Sequence, residues 1–159
     1  MIILGIDPGT SKIGYAVLEK NDSNIKLLAY GCLEIKNKTQ AKRLNEIDAF
    51  IRSLVPEFRP EILAIEKLFF TNNAKTALSV AEARGVIINS ATNLNLTVRE
   101  FTPLQVKMTV TGYGRAGKKE VQKMVCLTLK LDKTPQPDDA SDAIAIALTA
   151  CYTNPKLSA

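Results

Sequence analysis

Two continuous apolar runs, each closed by an acidic residue, constrain the fold of this chain more than any other feature. The first run, Met1–Ile6, ends at Asp7, and the second, Ile62–Ile65, ends at Glu66. Apolar residues that follow one another without alternation are typical of strands buried on both faces of a sheet. Such a sheet needs helices on both sides to cover it. The sequence therefore predicts an α/β fold with these two strands at its centre.

The remaining pattern completes a mixed sheet of five strands. Alternating apolar residues predict strands over 12–19 and 26–35, and the short turn between them makes the pair antiparallel. Helical spacing predicts helices over 39–58, about 73–93, from 103, 118–129 and 138–152, interleaved with strands over 61–66 and 97–101. We expect one domain over residues 1–152, with helices on both faces of the sheet, and a short tail over 153–159.

The absence of histidine excludes several classes of enzyme. Ser-His-Asp and Cys-His catalysis need an imidazole, as do His-ligated zinc sites. The three cysteines lie far apart without CxxC spacing, so we expect reduced thiols. No stretch approaches the roughly 20 apolar residues of a membrane span, and we expect a cytoplasmic protein. Enzymatic proton transfer must then come from carboxylates or from water activated by a metal ion.

Positive charge is concentrated in one segment of the chain. The net charge is +5, and the segment from Leu104 to Lys133 contains only two acids, Glu120 and Asp132, against seven basic residues: Lys107, Arg115, Lys118, Lys119, Lys123, Lys130 and Lys133. Residues 111–117 form a glycine-rich loop that we expect to be flexible and to lead into the helix over 118–129. This segment is a candidate surface for binding the phosphates of a nucleic acid.

Three acids open the last helix. Capping and the helix dipole alone would favour acids at this position, by roughly 0.3–1 kcal/mol each. Asp139 and Asp142, however, stand three residues apart on one helical face, where like charges repel unless a cation lies between them. Asp138 follows Pro137 at the expected helix start, so we assign Asp138 to capping and Asp139 to the site. Asp138 also stands four residues before Asp142, so the alternative that it competes for a metal, or replaces Asp139, stays open.

The acids gathered from three elements predict a metal site. Each has an ordinary explanation by itself, because Asp-Pro-Gly is a common turn and Glu66 could form a salt bridge at a strand end. Together, Asp7, Glu66, Asp139 and Asp142 form a set of oxygen ligands of the kind that Mg²⁺ prefers. Two such ions about 3.5–4 Å apart could drive phosphodiester hydrolysis. We expect Asp7 to bridge them, with Glu66 on one side and the helical pair on the other.

Five motifs resemble the RuvC family of Holliday-junction resolvases, within the RNase H-like superfamily. They are Gly5-Ile-Asp7-Pro-Gly9, Ile65-Glu66-Lys-Leu-Phe-Phe70, Ala81-Glu-Ala-Arg-Gly-Val86, Gln105-Val-Lys107 and Asp139-Ala-Ser-Asp142-Ala-Ile-Ala-Ile-Ala147. The resemblance covers almost the whole chain and implies catalytic, metal-binding roles for Asp7, Glu66, Asp139 and Asp142. It implies that Lys107 and Lys118 assist catalysis and that Phe69 meets the DNA near the exchange point. Arg115 and Lys119 are further DNA-binding candidates, and either Lys118 or Lys119 would stabilise the scissile phosphate.

This resemblance implies paired, metal-dependent cleavage of four-way junction DNA in homologous recombination and DNA repair, with Mn²⁺ able to replace Mg²⁺. Because a junction offers two equivalent strands, we expect a two-fold homodimer. The predicted helix over 73–93 has small residues at Ala77, Ala81 and Gly85 that permit close approach, although burial beneath a loop would also explain it. Contact with the RuvAB branch-migration complex is implied by the resemblance alone.

Three other functions fit parts of the sequence. An RNase H-like nuclease that acts on structured RNA would use the same acids. A non-catalytic module that binds branched DNA would need the basic segment but not the full acidic set. A sugar-kinase-like ATPase shares the Gly-x-Asp-x-Gly-Thr turn, but it needs two lobes, for which 159 residues are too few.

Overall fold

The computed structural model describes residues 1–67 and 74–153 of the chain. Its elements are, in chain order, β1 (Ile2–Asp7), β2 (Lys12–Asn21), β3 (Asn24–Glu34), α1 (Gln40–Phe58), β4 (Ile62–Glu66), α2 (Ala74–Asn93), β5 (Thr97–Phe101), α3 (Pro103–Thr111), α4 (Lys118–Leu129) and α5 (Asp138–Tyr152). The predicted order of elements is confirmed, and the predicted bounds of α4 and α5 agree with the structure.

The strands form one sheet in the order β3-β2-β1-β4-β5. The first three strands are antiparallel neighbours, as their short connections require, whereas β1, β4 and β5 run parallel. The two continuous apolar strands are therefore central neighbours in a mixed sheet, which confirms the predicted fold class. In their register Ile6 lies beside Ile65, so Asp7 and Glu66 follow at the same edge.

The sheet separates two hydrophobic cores, one on each face. On one face Ile3, Ala64 and Phe101 pack against α3, α4 and α5. On the other face Leu4, Ile6 and neighbouring strand residues pack against α1 and α2. Helices therefore cover both faces, as predicted. No helix in the part of the chain that the structure describes is long and apolar enough to cross a membrane.

Helix α5 lies directly on the backbone of β1 and β2 because glycines face it. A Cβ built on Gly5 would lie 2.5 Å from the carbonyl oxygen of Ala143 and 2.7 Å from the Cβ of Ala147. A Cβ on Gly14 would lie 1.9 Å from the carbonyl oxygen of Asp139. Neither distance is possible for real atoms, so both positions exclude any larger residue. This close approach brings the first turn of α5 beside the end of β1.

Candidate active site

The two strand-borne acids point to the same face of the sheet. Successive side chains of a strand alternate between faces, so Asp7 shares the face of Ile3, and Glu66 shares that of Ile62 and Ala64. Ile3, Ile62 and Ala64 all belong to the core under α5. The carboxylates of Asp7 and Glu66 therefore turn towards α3, α4 and α5 at the carboxyl ends of two parallel strands, where α/β proteins commonly bind ligands.

A cleft of about 240 Å³ lies at this edge of the sheet. Three acids and two lysines contribute its charged lining: Asp7, Glu66, Asp142, Lys107 and Lys118. Its walls are apolar and come from α3, α4 and α5: Pro103, Val106, Val121, Ala145 and Ile146. The structure thus brings together residues from five elements that are scattered over 140 positions of the sequence. The wall residues were not predicted to belong to the site, since their helical spacing is typical of an ordinary core.

The helical acids divide between the cleft and the surface of α4. The Nζ atom of Lys118 lies 3.0 Å from Oδ2 of Asp142 and 3.3 Å from Oδ2 of Asp138. Oδ1 of Asp138 accepts a hydrogen bond of 3.1 Å from Nε2 of Gln122. The prediction that Asp138 caps α5 is therefore wrong, because Pro137 is the N-cap and no side chain caps the helix. Asp138 instead joins the start of α5 to α4.

Asp139 lies close enough to Asp7 for the two charges to interact, although it is not part of the cleft lining. Its charge also acts on the thiol of Cys32, in β3. Asp138 is not among the groups whose charge acts on Asp7. Of the two adjacent acids, Asp139 is thus the one on the side of β1, whereas Asp138 is held by Lys118 and Gln122.

Burial, together with the crowding of negative charge, gives Asp7 an unusually high proton affinity. Burial raises the pKa of Asp7 from 3.8 to about 8, with further contributions from the charges of Asp142, Glu66 and Asp139. Burial and the charge of Asp142 likewise raise the pKa of Glu66, which Lys107 partly offsets. Carboxylates that repel one another in a shared cleft are typical of functional sites. The cleft therefore favours any cation that neutralises these acids.

Lys118 is the cation closest to the helical acids. Burial lowers its pKa, but the hydrogen bonds and charges of Asp142 and Asp138 outweigh this and raise it, so Lys118 stays protonated. Burial also raises the pKa of Asp142, and the contact with Lys118 opposes that rise. The ammonium group of Lys118 thus compensates the acids of α5, which the sequence alone did not predict.

The donor chemistry of the site fits a hard divalent cation. Its acids offer only carboxylate oxygens, and the chain has no histidine to favour a softer metal. Across residues 1–67 and 74–153, no three acidic or cysteine side chains converge closely enough to hold an ion in their present positions. Because Lys118 contacts Asp142, a cation would have to compete with this ammonium group for the carboxylate.

Hydrogen bonds within the loop before α4 fix its path in the structure. Thr111 Oγ1 donates to the carbonyl of Lys107 and accepts from the backbone N–H of Tyr113, while Ala116 is buried. The N–H of Gly117 donates to Oε2 of Glu120 at 2.5 Å. These bonds hold the start of α4, and with it Lys118, against the cleft.

Of the other predicted DNA-binding residues, Lys107 lines the cleft, whereas Arg115 and Lys119 do not. Arg115 and Lys119 are exposed, one in the loop and one in the first turn of α4, and neither belongs to the lining of the cleft. Lys107 is half-buried on α3, whose first turn is held by the reciprocal hydrogen bonds of Thr102 and Gln105. Phe69 lies outside the described residues.

Comparisons with known proteins show which family this chain belongs to. The model of a family described as crossover junction endodeoxyribonuclease RuvC matches residues 3–150. A protein of that name from Petrotoga mobilis is 47% identical over 155 residues, which cover 97% of this chain and 94% of the relative.

Two solved structures are similar to this one over nearly the whole chain. The RuvC structure of Thermus thermophilus aligns with a TM-score of 0.86 at 34% identity, covering 96% of this chain and 95% of that one. Its complex with a Holliday junction substrate gives a TM-score of 0.89 at 34% identity, covering 96% and 94% of the two chains. This chain therefore belongs to the RuvC family of crossover junction endodeoxyribonucleases.

Proposed function

We propose that this protein resolves Holliday junctions by paired hydrolysis of phosphodiesters in two opposed strands, with the single domain over 1–152 as its nuclease unit. The observation that carries the proposal is the cleft in which Asp7, Glu66 and Asp142 face Lys107 and Lys118. A scissile phosphate is an anion, so a site for its hydrolysis must both attract it and tolerate added negative charge in the transition state. Acids and lysines that line one cleft meet the two requirements.

The residues of the cleft divide this work between them. Lys118, held by Asp142 and Asp138 on the wall formed by α4 and α5, can stabilise the charge that builds on the phosphate. Lys107 can bind the neighbouring phosphate oxygens from α3. Asp7, whose pKa is raised to about 8, keeps its proton at neutral pH unless a cation replaces it. Arg115 and Lys119 extend the positive surface beyond the cleft, where contacts to phosphates add affinity but no chemistry.

We propose Mg²⁺ as the cofactor, with two ions per site and Mn²⁺ as a substitute. Asp7 would be the shared ligand, with Glu66 on one side and Asp139 and Asp142 on the other. When bound, such ions would lower the pKa of a water molecule, so that it can lose a proton and attack phosphorus. They would also neutralise the charge on the leaving 3′-oxygen. Burial and the charges of neighbouring acids raise the pKa values of Asp7, Glu66 and Asp142, so a bound cation would stabilise their charged forms.

We further propose that the protein acts as a homodimer through α2. Leu78 is 68% exposed on this helix, and a Cβ on Gly85 would meet nothing within 4 Å. The alternative that α2 is buried beneath a loop therefore does not fit the exposure of these residues. Small residues and an exposed leucine on one helix suit close packing against a second copy. The RuvAB complex as a partner and the cytoplasm as the location remain predictions from the sequence.

Cleavage of defined substrates tests the proposed function. The protein is incubated with a labelled four-way junction, a linear duplex of the same sequence and a structured RNA, each with and without Mg²⁺. We expect symmetric nicks in the junction only, and only with the metal. Cleavage of the RNA instead would favour the RNA nuclease, and binding without cleavage at any metal concentration would favour the DNA-binding module. Asp7→Asn is the control for a contaminating nuclease.

A further inference from the structure

Two arginines outside the cleft hold the backbone at the ends of the two catalytic strands. They are Arg43 in α1 and Arg84 in α2, and both helices pack on the face of the sheet opposite the cleft. Arg43 Nη2 donates a hydrogen bond to the carbonyl oxygen of Thr10, in the turn that follows Asp7. Arg84 Nε donates to the carbonyl oxygen of Glu66 at 3.0 Å. Neither arginine lines the cleft.

The carbonyl of Glu66 needs this donor because the sheet cannot supply one. The N–H of Lys67 donates to the carbonyl of Phe101 in β5. The Glu66 carbonyl belongs to the same trans peptide and therefore points the opposite way, towards β1. In β1 the parallel register pairs Ile6 with Ile65, so Asp7 comes beside Glu66. The next N–H along β1 would be that of residue 8, but residue 8 is Pro8, which has none. The strand ladder ends at the catalytic residue, and Arg84 takes the place of the missing donor.

Arg84 is itself held in one position. Its side chain is only 16% exposed, and its Nη2 forms an ion pair with Oε2 of Glu100 in β5. The guanidinium of Arg84, which extends from α2, therefore links the end of β4 to β5. A planar group with several fixed donors can make both contacts at once, which the single ammonium of a lysine does less well.

The two arginines belong to one packed layer. Nε2 of Gln40 in α1 donates to Oε1 of Glu82 in α2 at 2.5 Å. Ser90 of α2 donates to Oδ1 of Asp48 in α1, also at 2.5 Å. A displacement of this layer would therefore move both strand ends together.

We infer that Arg43 and Arg84 are positioning residues, which fix the separation of the Asp7 and Glu66 carboxylates from the opposite face of the sheet. This inference rests on the proposed function, because the separation matters for the ions that the two acids are proposed to share. Side chains in a metal-assisted site must be held to fractions of an ångström, and a misplacement of about 1 Å can cost 10²-fold in rate. Arg84 was within a motif that carried the family resemblance, but no role for it followed from the sequence.

The test compares Arg84→Gln with Glu100→Gln and with Arg84→Lys. Arg84→Gln removes the bond to Glu66, whereas Glu100→Gln removes the ion pair and leaves that bond in place. We expect Arg84→Gln to slow single-turnover junction cleavage by about 10- to 100-fold and to raise the Mg²⁺ concentration for half-maximal rate several-fold. Junction affinity in the absence of Mg²⁺ should stay within about twofold, because neither arginine lines the cleft. Arg84→Lys should recover part of the rate.

For Arg43, the matched control is Arg52, which lies on the same helix and pairs with Asp48 at 2.8 Å, away from both strand ends. Arg43→Gln should raise the Mg²⁺ requirement, and Arg52→Gln should not. A readout without cleavage is the rise in thermal midpoint on adding Mn²⁺, which should be smaller in Arg84→Gln and Arg43→Gln than in the wild type.

The outcomes separate the two proposals. If the wild-type protein cleaves no junction at any Mg²⁺ concentration, the proposed function fails. If the wild type cleaves, and Arg84→Gln matches Glu100→Gln in rate, Mg²⁺ requirement and thermal response to Mn²⁺, then Arg84 is a structural residue and the positioning inference is overturned. If Arg43→Gln matches Arg52→Gln in Mg²⁺ requirement and in thermal response to Mn²⁺, the positioning inference is overturned for Arg43.

Discussion

The two walls of the cleft differ in whether their acids form ion pairs with a basic side chain. On the strand wall, Asp7 and Glu66 end buried strands, and no lysine or arginine forms an ion pair with either among the residues that the structure describes. On the helix wall, Asp142 and Asp138 share the ammonium group of Lys118 at 3.0 and 3.3 Å. The strand wall therefore has no ion-paired counter-charge, and Lys107 and Lys118 only partly offset the raised pKa values of its acids, while the helix wall carries its own counter-charge.

This difference divides the expected roles. Burial and repulsion raise the pKa of Asp7 to about 8, so the strand wall stores electrostatic free energy that a bound cation can release. The helix wall offers a cation, Lys118, that can turn from the acids of α5 to a phosphate. Loss of a strand-wall acid should abolish chemistry, and loss of a helix-wall group should weaken it by graded amounts.

The largest expected effect is that of Asp7→Asn, which removes the centre of the strand wall. We expect cleavage to be lost and junction binding to be retained or strengthened, because the change removes both a metal ligand and a charge that repels phosphate. Single-turnover cleavage and a binding titration in the same buffer measure the two effects. A variant that cleaves within about tenfold of wild type would exclude Asp7 as a shared ligand.

The next effect distinguishes two adjacent acids of the helix wall. Asp139→Asn should slow the Mg²⁺-dependent rate by about 10²-fold or more, since the charge of Asp139 acts on Asp7. Asp138→Asn should cost only a few-fold, through loss of its contacts with Lys118 and Gln122. Its effect on the free energy of unfolding should be at most about 1 kcal/mol, as for other exposed ion pairs. If the Asp138 variant is the inactive one, the assignment of Asp139 is wrong.

The same contrast explains what the sequence could predict. Asp7 and Glu66 end uninterrupted apolar runs, which is a local pattern, and the strand order follows from connection lengths and burial. Similarly, Asp138 opens α5 and Lys118 opens α4 at the predicted residues. Local patterns therefore sufficed for the elements and for the acids at their ends.

Contacts between elements could not be predicted in this way. The pairing of Lys118 with Asp142 depends on how α4 and α5 lie relative to each other, and both helices pack into the same hydrophobic core. The assignment of Asp138 to capping failed for the same reason, because a partner from α4 competes with the local bond that its sequence position favours. The support from Arg84 likewise follows from Pro8 coming directly after Asp7, the residue beside Glu66, which only the register of two distant strands reveals.

A smaller effect should separate the neighbouring lysines at the start of α4. Lys118→Ala should slow the chemical step by about tenfold and change junction affinity little, since Lys118 lines the cleft. Lys119→Ala should mainly lower affinity and reduce the salt dependence of binding by about one unit, as expected for one lost phosphate contact. Rates at saturating junction and binding at several salt concentrations check both. If the two variants exchange these behaviours, Lys119 is the residue that meets the scissile phosphate.

The smallest expected effect concerns stability. It compares the wild type, in which Asp7 can ionise, with Asp7→Asn, in which this position stays neutral. In the unfolded chain Asp7 ionises at its ordinary pKa of 3.8, whereas in the fold it keeps its proton up to about pH 8. The folded state therefore binds more protons within this window, and the free energy of unfolding falls as pH rises from about 4 to about 8. Asp7→Asn removes this dependence. In EDTA the variant should match wild type near pH 4 and exceed it above pH 8, by on the order of 2 kcal/mol after solvent relaxation.

Asp48 supplies a control of opposite sign for this last measurement. The hydroxyl of Ser90 and the guanidinium of Arg52 both lower the pKa of Asp48, so its charged form stabilises the fold. Asp48→Asn should therefore lower stability above the ordinary pKa of an aspartate and have little effect below its own lowered pKa, the reverse of Asp7→Asn. Chemical denaturation at a series of pH values measures both variants. If Asp7→Asn lowers stability at pH 8.5 as Asp48→Asn does, the repulsion ascribed to the strand wall is absent, and the contrast between the two walls fails.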